Sequence, residues 1–326
     1  MAGAPREGPQ AGVDSRRAAT RSADERVNAI VAASFAPSTM SRYKKVWRSY
    51  KSFAASSPGG SFPASPHQLT LYGLWLSDSG YKPATVATHL AGVGWWHKIK
   101  GLPDPSKNYL VKHFLRGLAK KGPPVKQATA LRLNNLERVL GHLQSLPSAF
   151  ESKLFRAAFS LAYYASLRVG EYAATPGASH ALQLKDVGFV REGQDTSISL
   201  LLPTYKMSQR PAKLLVPQSP PNLTCPVGAL KAYLKVRPKG EGQLFLQKSG
   251  KPLAAGSINA RLKDCSRALG LEGSYSSHSL KAGRTTDLVE MNVPDAKIRE
   301  SGRWRSDAYL QYVRFDVFKL PKGGPS

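Results

Sequence analysis

Apolar residues recur every three to four positions through most of the chain, the spacing of helices with one buried face. Ser38-Thr39, just after Pro37, reads as an N-terminal cap, and Tyr43, Val46, Trp47, Tyr50 and Phe53 then follow at helical spacing. Arg42, Lys44, Lys45, Arg48 and Lys51 occupy the other positions of the same helix. Ser65–Ser79 opens with Pro66 and is expected to bury Leu69, Tyr72, Leu74 and Leu76. Thr85–Lys98 and Ser106–Lys120 each carry an apolar face and a basic end. Together they predict a bundle of four or five helices over residues 25–120, with Trp47, Trp75, Trp95 and Trp96 in its core. Residues 1–24 are rich in Gly, Pro, Ala and Arg without periodicity and read as a disordered basic arm.

Lys120-Lys121-Gly122-Pro123-Pro124 interrupts the pattern, because two prolines after a glycine cannot continue a helix. Residues 121–129 are therefore read as a linker. Beyond it, Leu133–Leu146 and Glu151–Leu167 are helical by periodicity. Ala181–Val190, Ser197–Leu202 and Lys213–Val216 are apolar runs of strand length between turn residues, expected to form a small antiparallel sheet. Helical spacing returns in Pro226–Val236, Ser257–Leu269, Ser279–Met291 and Asp295–Gly302. The expected fold is mainly α with a small antiparallel β-sheet (α+β). A second domain spans 130–316 and a short apolar tail spans 317–326, able to dock on a neighbouring protomer or on its own domain.

Charge narrows the partner. Lys plus Arg number 47 against 21 for Asp plus Glu in 326 residues, a formal charge of +26. An excess of that size calls for an anionic partner. No apolar run reaches the roughly 18–20 residues of a membrane span, and the basic residues are spread along the chain rather than gathered on one amphipathic helix. Nucleic acid is favoured and a membrane is not. Cys225 and Cys265 are the two cysteines, read as free buried thiols in a reducing compartment without zinc spacing. The start of the chain lacks the apolar core of a secretory signal. Arg16, Arg17 and Arg21 form a weak basic cluster. The expected location is the nucleus in a eukaryote and otherwise the cytoplasm.

Five segments of the second domain carry residue types suited to phosphodiester chemistry. Ser166-Leu167-Arg168-Val169-Gly170-Glu171 follows an apolar helix, and Pro203–Gln209 places Lys206 between two strands. His278-Ser279-Leu280-Lys281 opens a helix with a histidine and a cation one turn apart. Gly302-Arg303-Trp304 supplies an indole, and Tyr309-Leu310-Gln311-Tyr312-Val313-Arg314 supplies two phenols one turn apart. Taken singly each has an ordinary explanation. Arg168 and Glu171 suit a surface ion pair, Lys213 and Arg210 rival Lys206, and His278 suits a helix cap.

The order R…K…H-x-x-[R/K]…W…Y with a Y-[IV]-R ending resembles the tyrosine recombinase (phage-integrase-like) family. Arg168-x-x-Glu171, His278-Ser279-Leu280-Lys281-Ala282-Gly283 and Gly302-Arg303-Trp304 are similar to eukaryotic mobile-element recombinases of the crypton and DIRS type. The resemblance covers residues 130–316. The helical region matches only in architecture, as the family's core-binding DNA-binding domain, with Arg42, Lys44, Lys45 and Arg48 facing DNA.

The resemblance implies site-specific DNA cleavage and rejoining, integrating or excising a mobile element without metal or other cofactor, by a homo-tetramer on two duplexes. Arg168 would hold a non-bridging phosphate oxygen by its planar fork. Lys206 would protonate the departing 5′-oxygen, and His278 would manage the nucleophile's proton or bond the phosphate. Trp304 would pack the site and offer its N–H. Tyr312 would form the 3′-phosphotyrosyl bond, with Tyr309 as its rival. The family usually has arginine where this chain has Lys281. That exchange loses bidentate geometry, and one lost donor of this kind costs about 10²–10³ in rate. The chain is then a slow enzyme, a DNA-binding derivative that no longer cuts, or one in which Arg284, a turn further on, reaches the same phosphate. A type IB topoisomerase shares the chemistry but carries a larger clamp.

Overall fold

The computed structural model describes residues 23, 26–27, 29–57, 62–123, 127–175, 181–203, 211–218 and 222–314. Most of the expected arm, the whole tail (317–326) and the segment 204–210 with Lys206 and Arg210 lie outside these residues. The chain divides into two units, Met1–Val125 and Lys126–Ser326.

The first unit is helical: α1 (Pro37–Ser56), α2 (Pro66–Asp78), α3 (Pro83–Ile99) and α4 (Tyr109–Lys121). Proline opens α1, α2 and α3, where its missing N–H costs nothing. Val46, Tyr50, Phe53, Leu69, Tyr72, Leu76, Val86, Leu90, Val93 and Val111 form the core. Arg42, Lys44, Lys45 and Arg48 are exposed on α1, while Val46 and Tyr50 are buried. His97 is spent on structure, since its Nε2 accepts from the Ala64 N–H at 2.9 Å.

Four expectations change here. Helix α1 begins at Pro37, with Ala36 in the cap position and no side-chain cap bond, so Ser38-Thr39 lies inside the helix. Ser106 lies in a 3-10 turn (Pro105–Lys107), and α4 starts after Asn108, whose Oδ1 accepts from the Leu110 N–H at 2.9 Å. Leu74 and Trp75 are 45% and 40% exposed rather than core. Leu69, Tyr72 and Leu76 already fill the buried stripe of α2, leaving Leu71, Leu74 and Trp75 on another face.

The second unit contains α5 (Leu133–Gln144), α6 (Ala149–Tyr164), the single turn α7 (Val169–Tyr172), α8 (Pro226–Leu234), α9 (Ala255–Ala268), α10 (Ser277–Glu290) and α11 (Asp295–Gly302). A 3-10 turn, Asp307–Gln311, precedes Tyr312. Strands β1 (Val187–Glu192), β2 (Asp195–Leu202) and β3 (Ala212–Pro217) form an antiparallel sheet in the order β1-β2-β3. Val187 pairs with Leu200 and Leu202 with Ala212, and Ile198, Leu200 and Leu202 point to the core. The expected strand over Ala181–Val190 is shorter, because Leu184–Asp186 forms a 3-10 turn. Asp186 accepts there from the Gln183 N–H at 2.9 Å, a local bond that competes with strand pairing.

Helix α6 is central, with Leu154, Phe155 and Phe159 among its buried side chains. The expected helix to Leu167 stops at Tyr164, and Ser166 turns left-handed at φ 47°. That turn sets Arg168 at the start of α7. The chain entering the unit is bound to α10 and the segment before it: the Thr129 N–H donates to Ser274 O (2.8 Å) and the Leu131 N–H to Ser279 O (2.9 Å). Asp287 on α10 accepts from Arg132 Nε, from the Leu133 N–H and from the Tyr163 hydroxyl. Burial, then this carboxylate, push the Tyr163 phenol up. Cys225 and Cys265 are free and buried.

Candidate active site

Four chain segments converge below Tyr312. The turn ending α6 brings Ser166 and Arg168, α7 brings Glu171, α10 brings Lys281, and the end of α11 brings Arg303 and Trp304. A satellite cluster of Leu288, Ile298, Trp304 and Tyr309, with Tyr312 and Val313 against it, holds the phenol-bearing segment. The Arg314 N–H donates to Thr286 Oγ1 on α10 at 3.0 Å, tying the chain just after Tyr312 to the helix that carries Lys281.

Lys281 is 1% exposed. Its Nζ donates to Ser166 O at 2.7 Å and to Gly302 O at 3.0 Å. The same nitrogen lies 4.3 Å from the Trp304 ring centroid and 5.9 Å from that of Tyr312. Burial, followed by the charges of Arg303 and Arg168, holds the amine well below the ordinary lysine range, against the opposing pull of Glu171.

Glu171 collects cations. It accepts from the Arg168 N–H (2.8 Å), from Arg168 Nη1 (3.2 Å) and from Arg303 Nη2 (2.6 Å). The i,i+3 pair expected at a surface is thus part of a buried network. Arg303 also donates to Ala165 O and Ser166 O, each at 3.1 Å. Trp304 is buried, and its Nε1 has no hydrogen-bond partner among the described residues. The two rings Trp304 and Tyr312 lie 5.3 Å apart. Gly302 is required beneath them, since a Cβ there would come within 1.5 Å of the indole.

The expected residues separate into groups. Arg168, Lys281, Trp304 and Tyr312 fall in one cluster, Arg168 being linked to the others through Glu171, Arg303 and the Ser166 carbonyl. His278 is exposed on the first turn of α10, a turn before Lys281. Arg284 is not beside Lys281; its guanidinium stacks over Tyr163 (5.7 Å) and Tyr164 (5.3 Å). Tyr309 is buried, and the Asp295 carboxylate that its hydroxyl meets pushes that phenol up. Tyr312 is half-buried, with the Lys281 amine 5.9 Å from its ring centroid. Lys213, the rival of Lys206, is exposed on β3. A separate cleft of about 410 Å³, lined by Phe155, Arg261 and Asp264 among others, contains none of these residues.

Arg303 and the Ser166 carbonyl had no assigned role in the sequence reading. A guanidinium between a glycine and a tryptophan gives no periodic signal, and a backbone carbonyl has no sequence signature at all.

The model of the phage integrase family matches residues 129–314. The chain belongs to that family. Its members are the tyrosine recombinases, proteins of DNA recombination and DNA binding. The chain is 23% identical over 295 residues to the recombinase cre of Escherichia phage P1, covering 86% of this chain and 84% of that protein. Among solved structures it resembles lambda integrase (75–356), a dimer bound to a COC′ core site, with TM-score 0.61 and 14% identity over 93% of this chain and 98% of that one. The XerH site-specific recombinase in its post-cleavage complex gives TM-score 0.60 and 16% identity over 83% and 75%. The Tn1549 transposon integrase with circular intermediate DNA gives 0.55 and 15% over 82% and 87%. Among the described residues no helix is long and apolar enough to cross a membrane, and no group of residues could hold a metal ion.

Proposed function

We propose that this phage-integrase-family chain is a site-specific recombinase that breaks and rejoins duplex DNA through a 3′-phosphotyrosine on Tyr312, integrating or excising a mobile element. One observation carries the reading. The guanidiniums of Arg168 and Arg303 share a single buried carboxylate, Glu171, and the Lys281 amine lies 5.9 Å from the centroid of the Tyr312 ring. A buried excess of cations is costly without an anion, and a scissile phosphate supplies one. The unpartnered Trp304 N–H is a further donor for it.

In this reading Tyr312 Oη attacks phosphorus, and the bond to the 5′-oxygen breaks. That oxygen takes a proton from Lys206 and leaves as a free 5′-hydroxyl, while the 3′ end stays joined to Tyr312. Attack by another strand's 5′-hydroxyl reverses the step, so bond energy is conserved and no nucleotide cofactor is consumed. Arg168 stabilises the charge on the non-bridging oxygens, and exposed His278 exchanges the phenol's proton. The motif text favours an element of the crypton or DIRS kind acting in a nucleus, and a tetramer on two duplexes.

A second reading rests on Lys281, whose amine is already committed to two carbonyls. A chain short of one phosphate donor would bind DNA and cut it slowly or not at all. The test begins with duplexes selected by binding from a randomised library and nicked to trap cleavage. An SDS-resistant adduct that disappears in Tyr312→Phe supports the enzyme. Retained binding without adduct supports the second reading, and an adduct surviving Tyr312→Phe excludes Tyr312 as nucleophile.

A further inference from the structure

We propose that Arg303 is a positioning residue that holds Arg168 in its phosphate-binding pose by sharing the Glu171 carboxylate. The inference rests on the reading of Arg168 as the phosphate ligand. Arg303 adopts the left-handed conformation, φ 57° and ψ 47°, at the end of α11. A non-glycine residue there brings its Cβ against the following carbonyl oxygen, and glycine or asparagine is the usual solution. An arginine at this position is explained by what its side chain does.

Its side chain is 4% exposed and its reach is specific. Nη1 donates to Ala165 O and Nη2 to Ser166 O, two carbonyls of the turn after α6. Nη2 also donates to Glu171 Oε2 at 2.6 Å. Ser166 is the partner strained residue, left-handed at φ 47°, and Arg168 follows it by two positions. Arg303 therefore bolts the segment that carries Trp304 and Tyr312 to the segment that carries Arg168.

The charge balance gives the functional consequence. Glu171 is 6% exposed in its side chain and faces two guanidiniums. Arg168 Nη1 is its weaker side-chain contact at 3.2 Å, and Arg303 Nη2 its stronger at 2.6 Å. With Arg303 present, the carboxylate's charge is largely answered from below, and the Arg168 fork keeps donors for a phosphate. Without Arg303, the buried carboxylate draws Arg168 fully onto itself. The fork then turns from substrate to Glu171.

The experiment compares Arg303→Met and Arg303→Lys with the full-length wild type. Readouts are duplex affinity, the single-turnover rate of adduct formation, and the rise in Tm produced by inorganic orthovanadate as a phosphate mimic. Arg303→Met is expected to slow adduct formation by about 10²-fold, the cost of a misplaced group, at unchanged duplex affinity. Lysine, which can reach Glu171 with one donor, restores part of the rate. Glu171→Gln combined with Arg303→Met is expected to be no slower than Arg303→Met alone, because the competing charge has gone. Additive losses, or loss of rate in proportion to unfolded protein, overturn the proposal.

The vanadate arm separates this inference from the reading beneath it. If wild type forms no adduct, yet shows a Tm rise that Arg168→Met and Arg303→Met both abolish, the recombinase reading fails and the positioning role stands. A rise that Arg303→Met keeps, or that Arg168→Met keeps, or that wild type lacks, overturns the positioning role.

Discussion

Lys281 is joined to Ser166 by a 2.7 Å hydrogen bond from its amine to the backbone carbonyl of a left-handed residue. A second bond runs to Gly302 O at 3.0 Å, so the side chain ties the turn before Arg168 to the turn before Trp304. The lysine acts as a structural cross-brace at the position where the family usually has an arginine. An amine fixed this way offers a phosphate at most one N–H.

Replacing that brace by the longer, forked side chain tests whether the missing donor limits turnover. Lys281→Arg can keep one N–H on Ser166 O and direct others toward the phosphate. The expected outcome is faster adduct formation, by about 10²–10³-fold if one aligned transition-state donor is regained. The measurement is single-turnover cleavage of a nicked duplex. A rate equal to wild type would show that the lysine is not the bottleneck.

The same amine makes stability depend on pH. Folded Lys281 gives up its proton well below the ordinary lysine range, chiefly through burial and then through Arg303 and Arg168. The unfolded chain holds that proton up to about pH 10.4. Between the two values the unfolded state binds more protons, so stability rises as pH rises through that window. One proton contributes at most about 1.4 kcal/mol per pH unit. Denaturant midpoints of wild type and Lys281→Met, measured from neutral pH to pH 10, should diverge with that sign. Parallel curves would place the amine's titration in its normal range.

Much of this arrangement was legible beforehand, and the gaps have physical causes. The spacing of Leu136, Val139, Leu140 and Leu143 marked α5, and the alternation of Ile198, Leu200 and Leu202 marked β2, because burial on one face leaves a period. The residue order from Arg168 to Tyr312 marked the cluster. Orientation was not legible. Leu74 and Trp75 are as apolar as core residues, yet they face outward once Leu69, Tyr72 and Leu76 have filled the interior. Arg284 was expected near Lys281 because both lie on α10 one turn apart. The rings of Tyr163 and Tyr164 hold it instead, and those contacts come from a helix more than a hundred residues earlier.

Gly283 is a point where the fold tolerates no side chain. A Cβ there would lie 1.8 Å from Leu131 O, inside the extended segment that enters the second unit alongside α10. Gly283→Ala must displace that backbone and strain the Leu131–Ser279 bond. Overpacking of this kind costs about 1–3 kcal/mol, read as a lower denaturant midpoint at unchanged slope. Because the displaced segment borders the helix of His278 and Lys281, cleavage should fall further than the folded fraction does. A substitution without effect on the midpoint would mean that the segment does not run this close to α10.

The exposed cations of α1 should govern affinity without governing sequence choice. Arg42, Lys44, Lys45 and Arg48 stand on its exposed positions while Val46, Tyr50 and Phe53 anchor the buried side. Side chains that neutralise phosphates release condensed counterions, and each such contact adds about 0.9 to the slope of log affinity against log salt on duplex DNA. Replacing all four by alanine should weaken binding to selected and unrelated duplexes alike and flatten the salt slope by up to about 3–4 units. The buried side of α1 is untouched, so the Tm should hold. A loss confined to the selected duplex, with the salt slope preserved, would instead assign these side chains to base reading.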